Sequence, residues 1–201
     1  MRRREKEKKS EKTKQIVMSS FLALVMILSV FGIIIGSQSS ELKYGKYKFE
    51  RKDNYYTTKI DGKELYFYTL PFDTSYINLS DETVDKIRSS AYLITSFNAG
   101  AANESLPAIE LVRYDLANLL PEKFIFDGVE EPHPLYEALS VLGCANATLG
   151  APALIFNISD SMSIVDAGDC IYFNGRGADF LRLRDRLLYS YYGVYDDAEQ
   201  Q

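Results

Sequence analysis

The longest unbroken apolar run, IVMSSFLALVMILSVFGIII from Ile16 to Ile35, holds 20 residues without a charge. At a helical rise of about 1.5 Å per residue, that length matches a hydrocarbon layer of about 30 Å, so the pattern predicts a transmembrane helix. Downstream the period changes. Strands Tyr55 to Ile60 and Glu64 to Thr69 flank Asp61-Gly62, a dipeptide suited to the positive φ angles of a tight type I′ hairpin turn. Ser80 stands before DETVDKIRSS as a helix cap, with Asp81 and Glu82 at the positive end of the dipole. AYLITSFNA reads as a buried strand. In AANESLPAIELVRYDLANLLP, Ile109, Val112, Leu116 and Leu119 recur at helical spacing up to Pro121. KFIFDG is a further strand and PLYEALSVLG a helix of about two turns. APALIFNI and SIVDAGDCIYFNG supply two or three strands, and ADFLRLRDRLLYSYYGV places Phe180, Leu183, Leu187 and Val194 on one side of a final helix.

Charge sharpens the reading of the N-terminal run. The preceding arm, residues 1–15, carries 8 Lys or Arg against 3 Glu, a flank that favours retention in the cytoplasm. The chain is therefore expected in the cell membrane as a single-pass protein, with its N-terminus in the cytoplasm and its C-terminal domain outside. A cleavable signal peptide competes, since Gly36, Ser37, Ser39 and Ser40 are small, but signal h-regions usually run only about 7 to 15 residues. The expected organisation is a basic arm over 1–15, a transmembrane signal anchor over 16–36, a joint over 37–53, an extracytoplasmic α/β domain over 54–195 and a tail over 196–201.

Setting aside the 8 basic and 3 acidic residues of the arm leaves 15 basic and 25 acidic, a net charge of −10 for the remainder. Nucleic acid requires a basic footprint and is excluded as a partner. Cys144 and Cys170 lie in the outer part, where oxidation is permitted. A bridge between them would close a loop of about 27 residues and contribute roughly 3 to 4 kcal/mol; two buried thiols are the alternative. Asn78, Asn103, Asn146 and Asn157 begin N-x-S/T patterns and are candidate glycosylation acceptors.

The order of elements from Ile77 onward, helix, strand, helix, strand, short helix, strand, strand, helix, resembles the thioredoxin fold. INLSDETVDKIRSSAYLITSFNAG looks like the opening helix and first central strand of that family, and Pro152 in LGAPALIF sits where the family places a strand-preceding proline. The resemblance covers about 115 residues. It implies an α+β (α/β-like) fold: an N-terminal transmembrane helix followed by a thioredoxin-like domain with an added N-terminal β-hairpin. The family's Cys-x-x-Cys pair, whose thiolate a helix dipole stabilises, would fall near Ala102 and Ser105, and no cysteine stands there. The whole chain, especially FLRLRDRLLYSYYGV, also resembles uncharacterised archaeal single-pass membrane proteins, from which no activity carries over.

Other chemistry is sparse. His133 is the only histidine and lies between Pro132 and Pro134, a turn context poorly suited to a Ser-His-Asp or Cys-His mechanism. Asp127, Glu130 and Glu131, or Asp166 and Asp169, could offer oxygen ligands but lack the EF-hand spacing, so no metal or cofactor is expected. Arg182, Arg184 and Arg186 fan across the last helix and read as solvated surface. The 15 tyrosines serve hairpin packing or a partner-binding face. The expected function is a membrane-anchored extracytoplasmic protein- or peptide-binding accessory domain without redox catalysis and without a catalytic residue, its membrane contact running from Ile16 to Ile35. The alternatives are a thiol-disulfide enzyme using Cys144 and Cys170, and a carboxylate-based hydrolase or sugar-binding domain.

Overall fold

The computed structural model describes residues 18–29 and 42–196, which belong to two separate units, residues 1–40 and 41–201. In the first unit, residues 18–29 are helical. Among the described residues no helix is long and apolar enough to cross a membrane. The expected fold, a transmembrane helix ahead of a thioredoxin-like domain with an added hairpin, is corrected on that ground. The arm 1–15, residues 16–17 and 30–36 of the anchor, the joint up to 41 and the tail from 197 lie outside the described residues.

The second unit begins with an antiparallel sheet in the order β1 (Leu42–Tyr44), β2 (Tyr47–Arg51), β3 (Tyr56–Ile60), β4 (Lys63–Phe67). The hairpin read from Asp61-Gly62 is its second half: Asp61 (φ 50°) and Gly62 (φ 79°) both take the positive φ that the turn requires. The first half comes from residues read as a joint. The expected addition of one hairpin therefore becomes a complete four-stranded sheet.

The remaining elements are α1 (Asp81–Ser89), β5 (Tyr92–Phe97), the single turn α2 (Ala99–Ala102), α3 (Leu106–Leu119), β6 (Phe124–Val129), β7 (Ser140–Val141), β8 (Ala153–Ile158), β9 (Ser163–Ala167), β10 (Cys170–Gly175) and α4 (Asp179–Tyr191). Ser80 caps α1 by accepting from the Thr83 N–H at 3.2 Å. The predicted two-turn helix in PLYEALSVLG is instead a 3-10 turn, Pro134–Tyr136, followed by β7. A mixed sheet forms in the order β7-β6-β5-β8-β10-β9, in which only β9 runs antiparallel to its neighbour.

The domain is thus α+β, with one antiparallel and one mixed sheet, and α4 lies between them. On one side Tyr189 stacks on Phe67 at 4.0 Å and meets Phe49 edge-on at 6.0 Å. On the other, Phe180 meets Phe156 of β8 at 5.7 Å. α4 also packs on α1 and α3. Phe180, Leu183, Arg184, Asp185, Leu187, Leu188 and Tyr189 are all buried, as expected for a helix enclosed on most sides. Among the described residues the opposite face of the mixed sheet carries no α-helix, only a 3-10 turn at Cys144–Asn146. There Ile94, Ala153, Ile155 and Cys170 are covered by Leu142, Cys144 and Ala147 from the segment between β7 and β8.

α1 is tied to β9 by Asp166, which accepts from the Thr83 hydroxyl at 2.6 Å and the Lys86 ammonium at 2.8 Å. Burial acts to raise its pKa, but the bonds from Lys86, Thr83 and the Gly168 N–H outweigh it and hold the carboxyl below its ordinary value of 3.8. A depressed folded pKa contributes stability above the unfolded pKa, which is lost as pH falls through the folded one. Asp166→Asn is expected to lower unfolding stability by about 1 to 2 kcal/mol at pH 7. In urea titrations the gap from the parent should shrink as pH falls below the ordinary carboxyl value of 3.8 and the folded carboxyl takes up its proton; a gap that stays constant through the acid range would refute the assignment.

Candidate functional site

Alternation along β4 buries Leu65 and Phe67 in the core and turns Glu64 and Tyr66 the other way. Thr57 pairs with Tyr66 in the ladder, Tyr55 precedes β3, and Tyr68 follows β4. Tyr55, Thr57, Glu64, Leu65, Tyr66 and Tyr68 together line a cleft of about 510 Å³, within the range of small-ligand sites. Its rings stand nearly at right angles: Tyr55 and Tyr66 are 6.0 Å apart at 67°, Tyr66 and Tyr68 6.3 Å apart at 83°. They form walls around a corner rather than parallel ridges.

Two of the three walls are anchored from behind. The Tyr66 and Tyr68 hydroxyls donate to Asp115 of α3 at 2.6 and 3.0 Å. Arg184 of α4, fully buried, sets its guanidinium carbon 5.0 Å from the Tyr66 ring centre and 5.1 Å from that of Tyr68. Its Nη2 lies 3.3 Å from Asp115, while Nη1 donates to the Tyr66 carbonyl at 3.1 Å and pairs with Asp185. Asp185 in turn accepts from the Tyr68 and Thr69 N–H groups, each at 2.7 Å, and from the Thr69 hydroxyl at 2.9 Å. Burial, and then the charge and hydrogen bond of Asp115, push Tyr68 up to about 12 and raise Tyr66 as well. Both phenols therefore stay protonated donors at neutral pH.

A neighbouring cleft of about 340 Å³ opens where β2 and β3 separate after pairing at Glu50 with Thr57 and Arg51 with Tyr56; it shares Thr57 and Glu64 with the first. Lys59 faces it and stands opposite Glu64 in the ladder. Among the described residues no lysine or arginine lines the tyrosine cleft, and Glu64 is its one charged lining residue.

The residues singled out from sequence lie elsewhere. Cys144 and Cys170 are joined as a disulfide, with Cys170 at 4% exposure beneath the segment that it holds down. Asn78, Asn103, Asn146 and Asn157 are all exposed. Pro152 is buried just before β8, and no cis peptide bond occurs among the described residues. The Ser105 hydroxyl, near the place where the family's cysteines would fall, accepts from the Gly177 N–H at 2.9 Å. His133 accepts from the Leu135 N–H at 3.3 Å and opens a 3-10 turn. Asp127 pairs with Arg113 at 3.0 Å, and among the described residues no group of three or more His, Cys, Asp or Glu is placed to hold a metal.

The loops at the carboxyl ends of β5, β8 and β10 carry local polar contacts. Asn98 accepts from the Ala101 N–H at 3.1 Å, and Arg176 pairs with Asp160 at 2.7 Å. Arg184, read with Arg182 and Arg186 as solvated surface, is instead fully buried, because α4 is covered by β4 and α3 as well as by the mixed sheet, and spacing did not mark Asp115 or Asp185 as its partners. The available signal was that Leu188 and Tyr189, outside the predicted apolar stripe, make α4 apolar over more than one face.

Comparison with protein-family models, curated proteins and solved structures finds no match. The thioredoxin resemblance accordingly stands on the quoted residues alone.

Removing one member of a buried charged group leaves the others unpaired, at a cost of about 3 to 5 kcal/mol. Arg184→Met is expected to lose that much in urea unfolding. Arg182→Met, whose parent side chain is 49% exposed, should stay within about 0.5 kcal/mol of the parent. Equal effects of the two changes would refute the supporting role of Arg184.

Proposed function

We propose that the domain is a protein- or peptide-binding module that works without redox catalysis in an extracytoplasmic, oxidising compartment. The observation that carries this reading is the cleft walled by Tyr55, Tyr66 and Tyr68. Two of its rings are held by a buried ionic cluster, while Tyr55 remains 40% exposed. Rigid tyrosine rings bury area at small entropic cost and are enriched at binding surfaces. Pre-positioning them removes part of the ordering cost of binding.

The disulfide favours a structural role over a redox one. Cys170 is buried, and the bond spans 26 positions to fasten a segment over an otherwise helix-free sheet face. A thiol that exchanges must be accessible to an attacking thiolate.

Selection of a displayed random-peptide library on the full chain should enrich binders of common chemistry. Tyr55→Ala, which touches neither Asp115 nor Arg184, should weaken them at least ~tenfold. No enrichment, or undiminished binding to Tyr55→Ala, would defeat the proposal. Glutathione equilibration should place the disulfide below about −300 mV with no insulin reduction; a bond more oxidising than about −220 mV with insulin turnover would restore the thiol-disulfide enzyme.

A further inference from the structure

Resting on that reading for the nature of the partner, the geometry points to a ligand class: the tyrosine cleft receives an ammonium group, free or alkylated, with Glu64 as its counter-charge, and the partner is engaged through a lysine side chain. Three observations converge on this. The rings meet at 67° and 83°, so their faces bound a corner on two sides. Aromatic faces carry the negative part of the ring quadrupole, and cations are held against several of them at once in aromatic cages. Parallel ridges would suit flat rings better.

Second, the lining charge is negative. Glu64 is the sole charged residue of the cleft. Lys52, whose charge reaches Glu64 and Tyr55, is paired with Glu50 at 3.1 Å, and Lys59 faces the adjoining cleft, which shares Glu64.

Third, these rings already hold a cation. Arg184 lies 5.0 and 5.1 Å from the centres of Tyr66 and Tyr68. That charge would weaken their pull on a second cation, but Asp115 opposes it. A carboxylate accepting from both hydroxyls draws the O–H electrons toward the phenol oxygen and leaves each ring richer in electrons.

Isothermal titration of the full chain with choline, and with 3,3-dimethylbutanol, in which carbon replaces the charged nitrogen, tests the ammonium site. Choline should bind saturably and at least ~tenfold more tightly than the alcohol, with Tyr55→Ala and Glu64→Gln each weakening it at least ~threefold. Unchanged thermal unfolding of both variants ties those losses to the cleft. Equal binding of choline and the alcohol, absence of saturable choline binding, or insensitivity to Tyr55→Ala overturns the inference.

Library-selected peptides separate this result from the broader reading. Replacing their lysines by norleucine should cost at least ~tenfold. If the norleucine peptides bind equally well, peptide binding stands and the ammonium site falls. If choline discriminates as expected while no peptide is enriched, the ammonium site stands and the peptide-binding reading falls.

Discussion

The domain is organised around a positive charge with no route to water. Arg184 is fully buried between the four-stranded sheet and α3, and a guanidinium cannot escape the cost of burial by giving up its proton. The surroundings must supply the compensation: two carboxylates, one backbone carbonyl and the faces of aromatic rings. These partners come from three places in the chain: β4 with the residue after it, α3, and α4 itself. The cluster therefore holds β4 and the two residues after it in register on the helices. A slip of one residue would turn Tyr66 and Tyr68 away from Asp115.

The two sheets solve different problems with one helix. The mixed sheet buries Phe156 and Phe173 against Phe180, and the antiparallel sheet buries Phe49 and Phe67 against Tyr189. On the far side of the mixed sheet a covalent fastening replaces a helical layer. The disulfide holds an irregular segment over Ile94, Ala153 and Ile155, restricting the unfolded chain as well as covering the sheet. The disulfide lies on the far face of the mixed sheet, whereas the buried ionic cluster lies at β4.

Local rules were readable wherever the determining groups were neighbours in sequence. Asp61-Gly62 announced its turn because positive φ is a property of the dipeptide, and Ser80 announced its cap because its acceptor stands three residues away. β1 and β2 were hidden because their short stretches, rich in Lys and Tyr, carry no apolar face longer than Tyr47 and Phe49. The N-terminal run shows the limit of composition: its 20 uncharged residues set a possible length, while the described helix covers only 18–29. The tyrosine cluster was visible as an excess. Its use was not, because Asp115, Arg184 and Asp185 lie 47 or more positions from the rings or backbone groups that they hold. An arginine followed by Asp185 and Arg186 reads as surface until the strand that covers it is placed.

The position of α4 also bears on how the molecule is made. The first sheet is complete in sequence by Phe67, yet the helix that gives it a packing surface begins at Asp179. Asp185 secures the Tyr68 amide across 117 positions of chain. During synthesis the early sheet must wait, its aromatic face without a partner, until the region of α4 emerges. Contacts of such long range slow folding and expose sticky intermediates. An export or folding factor that shields Phe49 and Phe67 in that interval would therefore bear on the yield of the domain, and the waiting time would lengthen with any insertion between β4 and α4.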